Sequence, residues 1–285
     1  TSSRSSPTTC ADAGPVSLRP PRRYHAPVLR FRSLGSGSSG NATVIEARCG
    51  LQTTRLLVDC GFSLRALDAR LAAAGLAAAD LSAVFITHAH SDHVGCVRAL
   101  SQREGLPVYL SEGTWRACAG LDLQDRLRVA TDGEALELGA LHLTPFAVPH
   151  DAPEPLQLRA SDGDRHLGVL TDLGHVPVEV LERLAGVHAL LLECNHDPER
   201  LAASSYPPFL KRRVGGAHGH LANAQAAEAA AALAHAALGT VMAAHLSARN
   251  NTPELARQAL SAALGRTPED IPVADPRHGS AWWTV

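Results

Sequence analysis

The segment Val84-Phe85-Ile86-Thr87-His88-Ala89-His90-Ser91-Asp92-His93 places four potential metal ligands within six residues, directly after an apolar run. The run predicts a buried strand, and the residues after it predict a loop at the strand's end. Imidazole nitrogens and carboxylate oxygens bind Zn²⁺, Mn²⁺ and Fe²⁺, and a loop can turn all four inwards. A solvent-exposed polar loop is the alternative interpretation, and this density of ligands argues against it.

Three further residues stand in the same kind of position, immediately after an apolar run. His150 follows the run 141–148, Asp172 follows 168–171, and His245 follows 241–244. Each alone is more typical of a turn or a cap. Together with the four-ligand loop they predict two metal sites, with Asp172 able to bridge them. The predicted ligands are His88, His90, Asp92, His93, His150, Asp172 and His245.

Composition limits the class of protein. The chain has 285 residues, 45% of them hydrophobic, which is enough for one large domain or two small ones. No apolar stretch approaches the roughly 18 to 20 residues that span a bilayer, so we expect no membrane segment. The N-terminus has no apolar core of a secretory signal. Six scattered cysteines without a Cys-x-x-Cys pair predict reduced thiols in a cytoplasmic protein.

Residues 1–27 and 28–285 differ in character. The first segment is rich in Ser, Thr, Pro and Arg, which predicts a disordered tail, with a transit peptide as the alternative. The second segment predicts one domain that begins with antiparallel strands and continues with alternating strands and helices, including a long helix over 221–237 with Asn223 as its N-cap. The fold class is therefore α/β, with two mixed sheets in two similar half-domains packed sheet to sheet.

The motif Thr-His-x-His-x-Asp-His at Thr87–His93 resembles the signature of the metallo-β-lactamase-fold hydrolases. Within that superfamily the chain is similar to the YycJ (WalJ) type. The segments that carry this resemblance are Ser33–Asn41, Val148–Ala152, Thr171–His175, Leu192–Asp197 and Ala244–Ser247. The resemblance covers about residues 29–260 and implies an αβ/βα sandwich, two mixed β-sheets flanked by helices.

The resemblance also implies roles for individual residues. His88, His90 and His150 would hold one metal ion; Asp92, His93 and His245 would hold the other, and Asp172 would bridge. Asp59 would orient the ligand loop, residues 88–93, without itself contacting a metal ion. Without the resemblance, Asp59 would be interpreted as an ordinary turn residue before a glycine. His175, His196 and His218 lie in segments that resemble the family, and we expect them near the metal ligands without direct contact to a metal ion.

The chain resembles ribonuclease Z at two further positions, Glu193 and His220. In that family the corresponding pair assists phosphodiester cleavage, so with Asp92 these two are the expected catalytic residues. The sequence departs from that family's pattern at Cys194 and Asn195, and at 221–222 has Leu-Ala in place of hydroxyl residues. A helix-capping role for His220 is the alternative.

These residues predict a dinuclear metal-dependent hydrolase, specifically a phosphodiesterase or nuclease that attacks DNA or RNA with a hydroxide bridging two divalent ions, Zn²⁺ or Mn²⁺ with Fe²⁺ also compatible. His220, tuned by Glu193, would protonate the leaving alkoxide. In the segment Tyr206–Arg213 an aromatic pair beside three cations could hold a base and phosphates, although such a run is also typical of a solvated helix end. The expected substrate-binding residues are Ser38, Asn41, Tyr206, Lys211, Arg212 and Arg213.

Other functions stay open at this point. The formal charge of −2 and 4% aromatic content exclude a broadly basic nucleic-acid-binding surface and would suit a small cyclic or linear phosphodiester. A thioester or lactone hydrolase of glyoxalase type would make His220 dispensable. A non-catalytic metal-binding protein would not need the open coordination position of a catalytic site. Oxygen chemistry at a di-iron site is disfavoured, because His90 stands where those relatives commonly have Glu.

Overall fold

The computed structural model describes Thr1 and residues 28–285, so the predicted tail lies, apart from Thr1, outside the described residues. The strands are β1 (Val28–Gly35), β2 (Ala42–Cys49), β3 (Gln52–Val58), β4 (Ala83–Phe85), β5 (Val108–Leu110), β6 (Leu127–Val129), β7 (Leu136–Leu138), β8 (Leu141–Ala147), β9 (Leu156–Ser161), β10 (His166–Leu170), β11 (Ala189–Glu193), β12 (Thr240–Ala244) and β13 (Trp283–Thr284). The helices are α1 (Leu64–Ala73), α2 (Ser91–Val94), α3 (Val97–Glu104), α4 (Glu112–Ala117), α5 (Val178–Leu184), α6 (Pro198–Ala203), α7 (Pro208–Val214), α8 (Asn223–Ala232) and α9 (Pro253–Leu264). Among the described residues, no helix has the length and apolar character needed to cross a membrane.

The strands form two sheets, with the orders β13-β1-β2-β3-β4-β5-β6 and β12-β11-β10-β9-β8-β7. In the first sheet β1 to β3 are antiparallel and β3 to β6 are parallel. The second sheet repeats this plan, with antiparallel pairs from β7 to β10 and parallel pairs from β10 to β12. Both sheets are therefore mixed, which confirms the predicted α/β class and the predicted relation between the two halves.

The alternation of side chains along each strand separates three apolar layers. In the first sheet, Ile45, Leu56 and Phe85 point to the layer between the two sheets. Their neighbours, such as Leu57 and Val84, point to the other face, which α1 and α3 cover. The second sheet alternates in the same way, with its outer face beneath α5, α8 and α9. The result is the predicted αβ/βα sandwich.

Helix α8 is shorter than the sequence predicts, and its N-cap is different. The prediction of a helix over 221–237 capped by Asn223 is wrong, because the helix spans Asn223–Ala232 and Ala222 precedes it. The Asn223 side chain bonds Asn251 instead. Beyond the helix, Leu233 and Leu238 are both buried in the same outer layer. On a continuous helix they would point about 140° apart, so ending the helix allows both to be buried.

Candidate metal centre

The first group of predicted ligands, His88, His90 and His150, comes together at the carboxyl ends of β4 and β8. Their ligand atoms lie within 4.8 Å of one another. His88 Nε2 and His150 Nε2 are 3.0 and 3.3 Å from His90 Nδ1. Burial lowers the pKa of His88 and of His150, so both rings are neutral at pH 7. Neutral imidazoles offer the lone pairs that a metal ion requires.

The second group consists of Asp92, His93 and His245, whose ligand atoms also lie within 4.8 Å of one another. Asp92 Oδ2 is 3.7 Å from His93 Nε2 and 3.9 Å from His245 Nε2. Asp172 adjoins both groups, because its carboxylate clusters with His88 as well as with His93. Its Oδ2 atom lies 3.4 Å from His93 Nε2.

Two buried polar atoms of this arrangement indicate whether it suits a cation. His245 Nε2 and Asp172 Oδ2 are buried and make no hydrogen bond to any described residue. A buried polar atom without a partner costs about 1–3 kcal/mol, so such atoms normally have one. A divalent ion between the imidazoles and carboxylates would satisfy both atoms, and nitrogen and oxygen donors match Zn²⁺, Mn²⁺ and Fe²⁺. The residues therefore fit a divalent metal ion.

Outer partners fix the orientation of the histidines. The Asp59 carboxylate accepts hydrogen bonds from the Thr87 backbone N–H at 2.9 Å and from His93 Nδ1 at 2.8 Å. His150 Nδ1 donates to the Gly219 carbonyl oxygen at 3.0 Å. In both rings the remaining nitrogen faces the cluster, as expected for a ligating histidine held by a second partner.

The charge around His93 is unusually negative. Burial opposes protonation of the ring, but the carboxylates of Asp172 and Asp59 outweigh it and raise the pKa of His93 to about 10. In the absence of a metal ion, a proton on this ring offsets the buried negative charge. A divalent cation would compete with that proton for the same nitrogen.

Three residues of the site have left-handed backbone conformations although none is glycine. The φ angles are 61° at Asp59, 55° at Asp172 and 53° at His245. Asp59 directly follows β3, His245 directly follows β12, and Asp172 closely follows β10. All three residues are buried. Such conformations cost about 1–3 kcal/mol each and persist where the surrounding structure enforces them, often at functional sites.

A close backbone contact holds the ligand loop against the end of β3. Gly61 packs on the carbonyl oxygen of Asp92, and a Cβ atom at Gly61 would lie 1.6 Å from that oxygen. Cys60 N donates to the His93 carbonyl at 2.7 Å. Only glycine fits at position 61, because any side chain would push the loop away from β3.

Buried Glu193 and partly buried His220 form a pair beside the second group. Glu193 Oε1 accepts hydrogen bonds from His220 Nδ1 at 2.8 Å and from His245 Nδ1 at 3.0 Å. Its Oε2 atom accepts from the backbone N–H of Leu173 and of Leu221. Burial alone would lower the pKa of His220, but nearby carboxylates, Glu193 first and then Asp172 and Asp151, outweigh it and raise that pKa to about 9. His220 is therefore protonated at neutral pH.

The His220 ring lies next to one ligand of each metal-ligand group. Its centroid is 5.3 Å from the centroid of His150 and 5.2 Å from that of His245. Its Nδ1 atom is 3.6 Å from Asp172 Oδ1. Because Glu193 binds Nδ1, the Nε2 atom is the one left for a substrate, and 22% of the side chain is exposed.

The structure does not bring all of the predicted outer histidines to the cluster. His175 and His218 are exposed, and His175 Nδ1 donates to the Ala217 carbonyl oxygen. His196 is buried, and its Nδ1 atom has no partner among the described residues. Burial lowers the pKa of His196, so this ring is neutral.

Ser38 and Asn41 occupy different positions in the glycine-rich segment after β1. Ser38 is exposed. Asn41 is buried against the ligand loop, with Nδ2 3.0 Å from His93 Nε2 and 3.4 Å from Asp92 Oδ2. The predicted substrate-binding residue Asn41 therefore contacts the second ligand group directly.

The predicted cationic run on α7 divides into separate contacts. Lys211 Nζ donates to the Ala202 carbonyl oxygen and so ties α7 to the end of α6. Arg212 is exposed. Arg213 pairs with Asp151, the residue after the ligand His150. Tyr206 is half-buried, and the Arg249 guanidinium lies 5.9 Å from its ring centroid.

Sequence reasoning missed Ser36 as a connecting residue. Its Oγ atom accepts a hydrogen bond from the His245 backbone N–H at 2.8 Å and lies 3.4 Å from Asn41 Oδ1. Ser36 thus joins the glycine-rich segment to the loop after β12. The partners are 209 residues apart in sequence, and no local pattern signals such a contact.

Comparison with known proteins agrees with this geometry. A Beta-lactamase superfamily domain matches residues 54–245. The chain is 36% identical over 239 residues to Exodeoxyribonuclease YycJ of Bacillus anthracis, covering 83% of this chain and 89% of that protein. It is 43% identical over 74 residues to Ribonuclease Z of Mycobacterium bovis, covering 24% of each.

Among solved structures, the metallo-beta-lactamase fold protein YhfI of Bacillus subtilis superposes with a TM-score of 0.69 at 17% identity, covering 90% of this chain and all of that one. At that identity the likeness shows the fold. The superfamily match and the long alignment to YycJ show the family. The chain therefore belongs to the metallo-β-lactamase superfamily of metal-dependent hydrolases.

Proposed function

We propose that this enzyme hydrolyses phosphodiester bonds of nucleic acid, with DNA as the foremost substrate, at a centre of two divalent ions. His88, His90 and His150 would hold one ion, and Asp92, His93 and His245 the other. Asp172, which adjoins both groups, would bridge them. Zn²⁺ or Mn²⁺ suits these donors, and Fe²⁺ is also compatible.

The observation that carries the proposal is the place of His220. Hydrolysis of a natural phosphodiester requires departure of an alkoxide, a poor leaving group unless it receives a proton. His220 adjoins a ligand of each group, and nearby carboxylates, Glu193 foremost, raise its pKa to about 9. A thioester hydrolase has less need of this proton donor, because a thiolate departs more readily than an alkoxide.

Two divalent ions, when bound, would provide a hydroxide nucleophile at neutral pH and neutralise charge that develops on the phosphate oxygens. The residues of the chain contribute the rest of the chemistry. Asp92 and Asp172 hold negative charge close to the reacting centre, and Glu193 keeps the proton of His220 Nδ1 so that Nε2 faces the substrate. Protonated His220 would then donate to the leaving oxygen.

The similarity to Exodeoxyribonuclease YycJ supports DNA as the substrate class. Arg212, Arg213 and Tyr206 lie on or beside α7 and would contact the phosphates and a base. Exposed Ser38 would serve as a further contact on the glycine-rich segment. Lys211 would act mainly through its link to α6, since its ammonium group donates to the Ala202 carbonyl oxygen.

The test compares substrates and metal content in one preparation. Metal bound to the purified protein would be counted by mass spectrometry, and turnover measured with end-labelled single- and double-stranded DNA and RNA, bis(p-nitrophenyl) phosphate, a thioester and a lactone. We expect two ions per chain and cleavage of DNA, with loss of both activity and bound metal in His90→Ala. The control variant His142→Ala, at an exposed histidine of β8, should behave as wild type. Turnover of the thioester or lactone without any phosphodiester cleavage would refute the proposal.

A further inference from the structure

We infer that Asp151 and Arg213 act as a positioning pair that holds His90 in place and thereby sets the metal affinity of the first ligand group. This inference rests on the metal centre proposed above. Neither residue needs to contact the ion for this role, because the effect passes through the ring of His90.

Most of the histidines proposed as ligands have a partner on their outer nitrogen. His93 Nδ1 pairs with Asp59 at 2.8 Å, and His245 Nδ1 pairs with Glu193 at 3.0 Å. His150 Nδ1 bonds the Gly219 carbonyl oxygen, and His88 Nδ1 lies 3.0 Å from Thr87 Oγ1. Four of the five rings therefore have a hydrogen-bonding partner on the nitrogen that faces away from the cluster.

His90 has the opposite orientation, and Asp151 is its outer neighbour. His90 Nδ1 faces the cluster, 3.0 Å from His88 Nε2. His90 Nε2 faces Asp151 Oδ1 at 3.7 Å, and the same oxygen lies 3.4 Å from His150 Nε2. At these separations the carboxylate acts on both rings through its charge rather than through a hydrogen bond.

Arg213 fixes that carboxylate. Its Nε atom donates to Asp151 Oδ2 at 2.5 Å, which leaves Oδ1 directed at the two histidines. The Asp151 side chain is 28% exposed, so without a partner it would be free to turn towards solvent. The charge-assisted bond to a guanidinium restricts it to one orientation.

The backbone beside Arg213 reinforces this connection between α7 and the first ligand group. The residue after it, Val214, accepts a hydrogen bond at its carbonyl oxygen from His220 N at 2.8 Å. Gly219, which precedes His220, accepts from the ligand His150. The segment 213–220 therefore supports two ligands of the first group and the proton donor. A displacement of Arg213 would therefore shift these residues relative to the metal ions.

The experiment measures Zn²⁺ affinity by competition with a chromophoric chelator in wild type, Asp151→Asn, Arg213→Ala and the double variant. We expect Asp151→Asn to weaken the more labile site by about 10-fold or more, the usual effect of losing an outer carboxylate. Arg213→Ala should cause a smaller loss, and in the Asp151→Asn background it should cause none. Asp151→Glu should restore part of the affinity. Asp164→Asn, in the exposed turn between β9 and β10, is the matched control.

A second readout separates positioning from simple structural damage. The visible spectrum of the Co²⁺-substituted protein should change in Asp151→Asn but not in Asp164→Asn. Wild-type affinity in Asp151→Asn, or an equal loss from Arg213→Ala in both backgrounds, would overturn the inference while leaving the proposed function intact. If wild type itself binds no ion, both fail.

Discussion

Replacing Glu193 by Gln is expected to slow DNA cleavage at pH 8 by up to about thirtyfold. The Glu193 carboxylate is foremost among the groups that raise the pKa of His220 to about 9, ahead of Asp172 and Asp151, and its removal should bring that pKa back towards the ordinary value of about 6.5. At pH 8 the ring is about nine-tenths protonated in wild type, but only about 3% would be protonated at a pKa of 6.5. A thirtyfold loss of the acid form corresponds to about 2 kcal/mol of activation free energy.

The assay follows kcat/KM against pH with a labelled DNA duplex. In wild type the rate should decline as pH rises through about 9, where His220 loses its proton, and in Glu193→Gln this decline should move to lower pH, towards about 6.5. His220→Ala should remove the decline and lower the rate by about 10²–10⁴-fold. With bis(p-nitrophenyl) phosphate both variants should keep most of their activity, because nitrophenolate leaves without a proton.

Metal content decides how the result is interpreted, because Glu193 also bonds the ligand His245. The comparison is made with variants shown to bind as much metal as wild type. Unchanged DNA cleavage and an unchanged pH profile in fully loaded Glu193→Gln would show that His220 is not the proton donor. An equal loss on both substrates would point instead to damage at the metal centre.

Three further predictions concern the ligand loop. Asp59→Asn removes the carboxylate that bonds His93 and should weaken metal binding by about 10–100-fold, measured by chelator competition; unaltered binding would contradict its orienting role. Gly61→Ala should lower the free energy of unfolding by about 3 kcal/mol, because a Cβ would collide with the Asp92 carbonyl, whereas Gly239→Ala, where the added Cβ finds only an ordinary contact, should be nearly neutral in the same urea titration. In EDTA the protein should lose stability as pH rises from 6.5 towards about 10. The pKa of His93 is raised in the folded state, so the contribution of its proton to stability is complete below pH 6.5 and disappears above about 10. A melting temperature that rises across this range would exclude the effect.

The clustering of the predicted ligands was predictable because most of its information is local. Four ligand-type residues in six positions after a strand have few structural explanations, and the ends of β8, β10 and β12 supplied the single residues that complete the groups. The order of strand-like and helix-like segments likewise predicted both mixed sheets. These features depend on neighbours in sequence, or on the general rule that parallel strands end at a common edge.

The remaining features depend on contacts that no local pattern encodes. Asp151 and Arg213 are 62 residues apart in sequence, and no local pattern signals their contact. From sequence alone, the cationic run on α7 therefore indicated only a surface for phosphates. The Ala-rich stretch after Asn223 favours a helix throughout, but burial of Leu238 ends it early. In both places tertiary packing, rather than residue preference, determines the outcome.

The left-handed backbone at Asp59, Asp172 and His245 has a consequence for the history of such a sequence. At each position glycine would relieve backbone strain, but it would also remove a side chain that the site uses; at Asp59 the carboxylate that bonds Thr87 and His93 would be lost. The strained backbone at two aspartates and a histidine therefore persists where the side chains themselves are needed. Among divergent copies of this fold, glycines at these three strand ends would mark those that have given up the metal centre.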